Sequence, residues 1–326
     1  MTRRLAGTSF VVAIAVILGF ASLGFSAEYP TRNIELVVAF SAGGSSSMGA
    51  RVVAQGASEI LGKPVVIVNK AGAGGALAGP YAAKARPDGY TLLVYNSATN
   101  GIAPVIRKDV GYKNSDFRLI AQYGVQNILI EVKKDSPFKT IHDVIDYAKK
   151  NPGVLKCGDA GVGSTSNFSL ELFKAEAGGL KIDSVPFKGG AETTAALLGG
   201  HVQLAVPHSA DCKAHFDSGI VRLLGVSSPE RDPDFPGVPT FKEQGLPGFI
   251  IQSWYGIGVP AAVPEEIVVR LSTVFAKVIQ TPEIKEMLKA LGFTPVYRDA
   301  GEFAKYAKMM EDMYIRVAKI ANIKVE

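Results

Sequence analysis

The amino-acid sequence predicts an α/β protein of two lobes with a cleft between them. Strand-forming and helix-forming segments alternate along the chain up to about residue 95 and again after Phe117, and a helical tail follows. Each of these two stretches also contains a glycine- and serine-rich loop between a strand and a helix. Strand–helix–strand repetition is typical of parallel sheets covered by helices. Two such stretches therefore predict two α/β units.

The first 27 residues predict a secretory signal peptide. Arg3 and Arg4 form a basic start, an apolar run extends from Phe10 to Phe20, and small residues precede a cleavage point near Ala27. The apolar core is too short to span a bilayer, which disfavours the alternative of a membrane anchor. No later apolar stretch is long enough to span a bilayer either. We therefore expect an exported, periplasmic protein.

Charge and cysteine content restrict the classes of function. The chain has a formal net charge of +5, with basic and acidic residues interspersed. This distribution disfavours nucleic acid as a partner and weakly favours an anionic ligand. Two cysteines, Cys157 and Cys212, set no disulfide framework. Two buried free thiols are a plainer interpretation than a disulfide between them.

The first α/β stretch contains three predicted strands with two helices between them. An apolar, β-rich run at 34–40 leads into loop 41–47, and apolar residues at helical spacing follow up to Leu61. Pro87-Asp88-Gly89 is a turn signal before the third strand. The other predicted segments are a strand at 65–68, a glycine-rich loop at 71–75, a small-residue helix and a strand at 90–95.

The second α/β stretch begins after Phe117 and ends in helices. Thr140 caps a predicted helix that Asn151-Pro152-Gly153 ends, and loop 158–164 leads into another helix. The sequence predicts strands at 119–123, 127–132, 154–157, 184–187, 202–206 and 223–226, helices at 166–177 and 191–198, and C-terminal helices at 267–278, 281–292 and 301–321.

The two glycine- and serine-rich loops predict an anion site. In open parallel sheets, ligands bind beyond the carboxyl ends of the strands, where loops 41–47 and 158–165 both lie. Each loop leads into a helix N-terminus, whose free N–H groups and positive dipole end attract an anion. Two such loops facing one another would form a carboxylate clamp. The alternative is that both loops are ordinary turns.

A series of short sequences characterises the chain after the leader. They are Tyr29-Pro30, Phe40-Ser41-Ala42-Gly43-Gly44 with Ala50-Arg51, Val65 to Asn69 with Gly72-Ala73-Gly74-Gly75, Pro87-Asp88-Gly89-Tyr90-Thr91-Leu92-Leu93, Ala148 to Gly153, Gly161-Val162-Gly163-Ser164, Val185-Pro186-Phe187-Lys188-Gly189, Leu198-Gly199-Gly200, and Pro239-Thr240 with Glu243 and Gly245. Each alone is weakly specific. In this order they resemble the Bug family, the extracytoplasmic receptors of tripartite tricarboxylate transporters. The resemblance covers the whole chain from Tyr29.

The resemblance implies a two-lobed periplasmic binding protein fold of type II. Lobe 1 would comprise 28–127 and 252–326, and lobe 2 would comprise 128–251, with two crossovers and a ligand cleft between them. It also implies a monomer that uses no cofactor, catalyses no reaction and closes around a small organic carboxylate (a di- or tricarboxylate or an aromatic acid). The receptor would present this ligand to integral membrane subunits. An alternative with the same features is a periplasmic sensor that signals to a membrane partner.

The expected ligand-binding residues follow from the loops and the resemblance together. Phe40 would form an apolar wall, loops 43–47 and 161–166 the anion grip, and Lys188 the charge for a second carboxylate. Trp254, near the second crossover, would either report closure of the lobes through its fluorescence or be an ordinary residue of the hydrophobic core. The complete expected set is Phe40, Ala42, Gly43, Gly44, Ser45, Ser46, Ser47, Ser97, Asn100, Gly161, Gly163, Ser164, Thr165, Ser166, Asn167, Lys188, Gly189, His208 and Asp211.

Two positions depart from the pattern of the family. The family loop usually carries an Asp three residues after the paired glycines, where this chain has Ser47, and a His shortly after Gly-x-Gly-Ser, where it has Asn167. The loss of an acid at Ser47 predicts a ligand without an ammonium group, hence a plain di- or monocarboxylate. Succinate would then bind more tightly than aspartate.

Metal-binding and catalytic interpretations receive less support. His201, His208 and His215 recur every seven residues with Asp211 and Cys212 between the last two, but Pro207 argues against one helix holding them all. Gly44 to Gly49 is not a nucleophile elbow, because its closing glycine comes one place late. Gly161 to Ser166 lacks the third glycine of a dinucleotide site.

Overall fold

The computed structural model describes residues 29–72 and 75–323. The predicted signal peptide therefore lies outside the described residues, as do residues 73 and 74 of the glycine-rich loop. Within the described ranges, no helix is both long and apolar enough to cross a membrane.

The described residues from 34 to 320 form two sheets and the helices that cover them. The strands are β1 Ile34–Val38, β2 Val65–Asn69, β3 Thr91–Asn96, β4 Phe117–Asn127, β5 Leu129–Lys133, β6 Lys156–Asp159, β7 Asp183–Pro186, β8 Leu204–Ala205, β9 Val221–Val226, β10 Gln252–Pro260 and β11 Thr294–Asp299. The helices are α1 Ser45–Leu61, α2 Ala78–Ala83, α3 Ala103–Ile106, α4 Ile141–Lys150, α5 Thr165–Glu176, α6 Gly190–Leu198, α7 Ser209–Asp217, α8 Glu265–Gln280, α9 Pro282–Ala290 and α10 Ala300–Ile320.

The first sheet has the strand order β11-β4-β10-β3-β1-β2. β1 pairs in parallel with both β2 and β3, as the strand–helix alternation predicts. β1 is almost wholly buried, which is typical of a parallel strand covered by helices on both faces. β10 and β11 pair antiparallel with their neighbours, so the complete sheet is mixed.

The second sheet has the strand order β7-β6-β8-β5-β9. β6 is parallel to β7 and β8, whereas β5 is antiparallel to β8 and β9. The cap predicted for α4 is confirmed, because Thr140 Oγ1 accepts a hydrogen bond from Asp143 N at 3.3 Å. Most predicted helices are confirmed to within two or three residues. Two mixed sheets with their helices confirm the two-lobed α/β class.

Two adjacent connections link the sheets. The chain leaves the first sheet after Asn127, at the end of β4, and returns to it at Gln252, where β10 begins. These two residues are paired across the β4–β10 ladder. Ser227 Oγ donates to Ile128 O at 2.8 Å and to Ile251 O at 2.6 Å, and so ties the connections together. The residue limits expected for the lobes, 28–127 with 252–326 and 128–251, stay a prediction.

Three elements were not expected from the sequence. β10 and β11 belong to long-range antiparallel pairs, and the segment Ser97–Ile102 after β3 forms a π-helical turn. The Asn96 side chain caps this turn by accepting hydrogen bonds from the N–H groups of Ala98 and Thr99, both at 3.0 Å. These elements bring Ser97, Ser253 and Tyr255 to the site described below.

Candidate functional site

A cavity of about 50 Å³ lies where the carboxyl ends of β1 and β3 face those of β6 and β8. This is the position at which open α/β sheets bind ligands. A second cavity of about 360 Å³ adjoins it and shares Phe40, Ser41, Ala160 and Lys188 with it. The lining of the first cavity comprises Phe40, Ser41, Gly44, Ser45, Ser46, Asn96, Ser97, Ala98, Ala160, Ser164, Thr165, Lys188, Gly189, Gly190, His208, Asp211, Ser253 and Tyr255.

The N-terminus of α1 opens directly onto this cavity. Its N-cap residue is Gly44, which has no side chain to accept a hydrogen bond from the first turn. Ser45 and Ser46 follow, both buried, and the Ser46 hydroxyl has no hydrogen-bond partner among the described residues. A buried hydroxyl without a partner is uncommon in folded proteins. Here it lies beside the free N–H groups of a helix terminus, so this part of the wall is equipped to bind an anion.

The N-terminus of α5 meets the cavity from the other side. Its N-cap, Ser164, is occupied, because Ser164 Oγ accepts a hydrogen bond from Asn167 N at 3.1 Å. Thr165 Oγ1 bonds across the cleft to Ser97 Oγ at 2.8 Å. The preceding loop needs glycine at two positions, since Gly161 and Gly163 have φ of +99° and +83°.

The loop before α5 is supported by a buried carboxyl group. Asp159 is inaccessible to solvent and accepts hydrogen bonds from Gly161 N at 2.8 Å, from Asn167 Nδ2 at 3.2 Å and from the Ser184 hydroxyl. Burial raises the pKa of Asp159, while these donors act in the opposite direction. The role of Asn167 is thus to hold this carboxyl group and the loop, and its side chain does not line the cavity.

A series of three polar side chains in close contact crosses the cavity wall. His208 Nε2 lies 2.7 Å from Ser253 Oγ on β10, and His208 Nδ1 lies 3.3 Å from Asp211 Oδ2 on α7. Serine hydrolases use the same order of groups. In this chain the His208–Ser253 bond joins elements attached to different sheets, so the series also connects the two sides of the cleft.

Tyr255 completes the wall beside this series. Its hydroxyl donates to Gln126 Oε1 at 2.9 Å. Burial and the nearby Asp211 charge raise the pKa of Tyr255, and hydrogen bonding with Ser253 and Ser45 opposes that rise. Tyr255 therefore stays neutral at physiological pH, and it lines the same cavity as Ser45 and Asp211.

Most of the expected side chains meet at the cavity, but several do not. Ser47 faces away from the lining and accepts a hydrogen bond from Asn69 Nδ2 at 3.2 Å, because the helix turn directs it to the β2 side. Asn100 Oδ1 accepts from Asn96 N and Ser166 Oγ donates to Val206 O, so both support the backbone. The expected residues outside the lining are Ala42, Gly43, Ser47, Asn100, Gly161, Gly163, Ser166 and Asn167, of which Gly161 lines the adjoining cavity.

Other lining residues were missed from the sequence. Ser253 and Tyr255 come from β10, which returns to the first sheet after the whole second sheet has been built. Ser41, Asn96, Ala98, Ala160 and Gly190 are immediate neighbours of expected residues, so placing them needed only the exact ends of the strands and helices. Trp254 next to Ser253 is fully buried and packs against Tyr95 and Phe303.

The histidine spacing does not form a metal site. Among the described residues, no group of three His, Cys, Asp or Glu side chains could hold an ion. Cys157 and Cys212 are both buried and free, as expected for two structural thiols.

Comparison with known proteins places the chain in a family. Residues 49–323 match the family described as tripartite tricarboxylate transporter family receptor. The chain belongs to this family. BugT of Bordetella pertussis is 32% identical over 298 residues, which cover 91% of this chain and 90% of BugT. The resemblance to the Bug family is thereby confirmed, and the members of this family are periplasmic solute receptors.

Solved structures of relatives share the fold of this family member. A protein of R. palustris solved with adipate has a TM-score of 0.86 and 32% identity, and the match covers 91% of this chain and 99% of that one. MatC from Rhodopseudomonas palustris, solved with bound malate, has a TM-score of 0.82 and 29% identity, covering 89% of this chain and 99% of MatC. These matches confirm the two-domain periplasmic binding protein fold.

Proposed function

We propose that this receptor captures a small organic carboxylate in the periplasm and delivers it to the membrane subunits of a tripartite tricarboxylate transporter. The observation that carries the proposal is the unpartnered Ser46 hydroxyl beside the uncapped N-terminus of α1. Both supply hydrogen-bond donors to the same small cavity. Adipate and malate, bound by two relatives, are small organic carboxylates.

The site would grip one carboxylate group at the N-terminus of α1. Helix N–H groups and hydroxyls are the donors that such an anion needs, and hydrogen bonds to a charged group are stronger than those to neutral groups. The cavity of about 50 Å³ is far smaller than the pockets of drug-sized ligands, which are roughly 300–1,000 Å³. In the closed arrangement it would enclose a small head group, and the adjoining cavity would accept the rest of a longer acid.

The lobes would close around this ligand. Lobe 1 (28–127 with 252–326) and lobe 2 (128–251) would rotate about the paired connections at Asn127 and Gln252. The Ser97–Thr165 and His208–Ser253 hydrogen bonds would form only in the closed state, so ligand and closure stabilise one another. Export after removal of residues 1–27 would bring the receptor to its membrane partners.

The test is a binding survey of the chain without residues 1–27. Trp254 fluorescence and thermal shift would be recorded against C3 to C6 mono- and dicarboxylates, citrate, aromatic acids, amino acids and sugars. We expect saturable binding, in the micromolar range or tighter, confined to compounds with a carboxylate group. A response to sugars with none to any carboxylate would refute the proposal.

A further inference from the structure

A carboxyl group lies in the wall of the proposed carboxylate cavity. Asp211 belongs to the first turn of α7, lines the cavity, and has a side chain only 6% exposed. An ionised aspartate can only accept hydrogen bonds. It therefore differs from the hydroxyl and amide groups on the α1 side, which can donate to a bound anion.

The surroundings leave Asp211 with acceptor capacity. Among the described residues, His208 is the one side chain that pairs with it, through Nδ1 at 3.3 Å from Oδ2. Lys188 also lines the cavity but forms no ion pair within 4 Å of Asp211. The Oδ1 atom accepts no hydrogen bond from the described chain.

The fold holds this carboxyl group in place. Gly190, the first residue of α6, approaches Asp211 so closely that a side chain on residue 190 would overlap the carboxylate. Ser45, Tyr255 and Asp211 line the same cavity. The acceptor and the proposed carboxylate grip would therefore face the same bound ligand.

An acceptor at this place restricts the ligand. A ligand carboxylate or bare hydrocarbon against Asp211 would bury a negative charge without a new partner, and this costs binding energy. A ligand that brings a donor would satisfy the free lone pairs. We propose that the ligand is a carboxylic acid that also carries a hydrogen-bond donor, a hydroxyl or an ammonium group, and that Asp211 accepts from this donor. This inference rests on the proposed function and names its substrate class.

The inference differs from the expectation drawn from Ser47. The absence of an acid at that position predicted a ligand without an ammonium group, but Ser47 faces Asn69 and does not line the cavity. An acid is present in the cavity nonetheless, supplied by α7. The choice between succinate and its substituted relatives is therefore made at Asp211.

Matched acids that differ by one group provide the first test. Calorimetry on the mature protein would compare unsubstituted acids with their hydroxyl and amino derivatives: propionate, lactate and alanine; succinate, malate and aspartate; glutarate, 2-hydroxyglutarate and glutamate. In the series that binds, we expect a donor-bearing member to bind at least about tenfold more tightly than the unsubstituted acid. Preference for the hydroxy acid or for the amino acid identifies which donor Asp211 accepts.

Asp211→Asn provides the second test, with Asp217→Asn as its control. Asp217 lies on the same helix, half exposed and outside the cavity, so its substitution removes the same charge without touching the site. We expect Asp211→Asn to lower the affinity for the donor-bearing ligand by about tenfold or more. The affinity for the unsubstituted acid should stay the same or increase. Asp217→Asn should change neither. If Asp211→Asn does not fold, the matched acids decide alone.

The outcomes separate this inference from the proposed function. Binding of the unsubstituted acids as tight as that of their derivatives would overturn the role of Asp211 while leaving carboxylate capture intact. The role of Asp211 would also be overturned if the Asp211→Asn variant still preferred the donor-bearing acids over the unsubstituted acids. Failure of every carboxylate to bind would instead refute the proposed function itself.

Discussion

On the side of the first sheet, the cavity is lined by neutral groups such as Ser46, Ser97 and Tyr255, whereas on the side of the second sheet buried carboxyl groups lie in or behind the wall. Among the described residues, the most deeply buried acids are Glu131, Asp159 and Asp232, and all of them belong to the 128–251 segment. Asp211 adds a fourth carboxyl group, in the wall itself. The two sides therefore differ in their polar groups, although both present a helix N-terminus to the cavity.

The difference also appears in the two helix termini. Ser164 caps α5 through its own hydroxyl, and Asp159 fixes the loop before it. Gly44 leaves α1 uncapped, and the Ser46 hydroxyl has no partner in the described chain. At α5 a side-chain hydroxyl thus accepts from the Asn167 N–H, whereas at α1 no side chain caps the first turn and the Ser46 hydroxyl stays open to the cavity within the described chain. Similar loop sequences therefore build two helix termini that differ in their side-chain hydrogen bonds.

The largest expected effect is on the free energy of unfolding and concerns Glu131, a buried acid of the second sheet. Its side chain is fully buried, Oε1 accepts from Thr194 Oγ1 at 2.8 Å, and Oε2 has no hydrogen-bond partner among the described residues. Burial raises the pKa of Glu131 from 4.5 to about 7, opposed by the Thr194 hydrogen bond and reinforced by the Asp211 charge. Between pH 4.5 and about 7, the Glu131 carboxyl group of the folded chain therefore keeps a proton that the same group in the unfolded chain has already lost. Stability from this group is fully present below pH 4.5 and is lost as pH rises through 7.

Glu131→Gln removes this proton linkage. We expect its free energy of unfolding to match that of wild type near pH 4 and to exceed it by about 3 kcal/mol at pH 8. Urea denaturation across this pH range would measure the difference. Glu59→Gln, exposed on α1, should follow the wild-type profile at every pH. A stability difference for Glu131→Gln that does not change with pH would contradict the assignment.

The next largest effect separates the two termini. Ser46→Ala removes the unpartnered hydroxyl, so the affinity for the carboxylate ligand should fall by about tenfold to a hundredfold. Stability without ligand should not fall, because no hydrogen bond within the protein is lost. Calorimetric titration and thermal denaturation measure both. Ser169→Ala is the matched control, since the Ser169 hydroxyl is also buried and has no partner in the described part of the chain, but lies outside the cavity. Equal affinities for Ser46→Ala and Ser169→Ala would rule out the α1 grip.

Sequence reasoning succeeded where local signals are strong. The strand–loop–helix units around loops 41–47 and 158–164 show clear periodicity and turn residues, and both contribute to the cavity. It was less successful with the direction of side chains. Ser45, Ser46 and Ser47 are chemically alike, but each lies about 100° further round the helix, and only an exact helix start shows which two face the ligand.

The rest of the site depends on contacts that sequence patterns do not show. β10 carries Gly256 and Gly258, which weaken a strand signal, and its antiparallel partners lie more than a hundred residues earlier. Ser253 and Tyr255 therefore could not be placed beside Ser45. The proximity of Asp211 to this group depends equally on the packing of α7 against α6, where Gly190 makes room for the carboxylate.

The smallest expected effect concerns the bond that joins the two sides, Ser97 Oγ to Thr165 Oγ1 at 2.8 Å. Ser97→Ala and Thr165→Val each remove it, and a double-mutant cycle isolates its contribution to ligand binding. We expect a coupling of about 1 kcal/mol, or roughly fivefold in affinity, because the bond stabilises only the closed state. Ser97→Ala with Ser164→Ala is the control pair, since Ser164 bonds within its own helix. If the Ser97–Thr165 cycle and the Ser97–Ser164 cycle give the same coupling, the Ser97–Thr165 hydrogen bond does not contribute to closure. The His208–Ser253 hydrogen bond would then be the remaining contact that joins the two sides of the cavity.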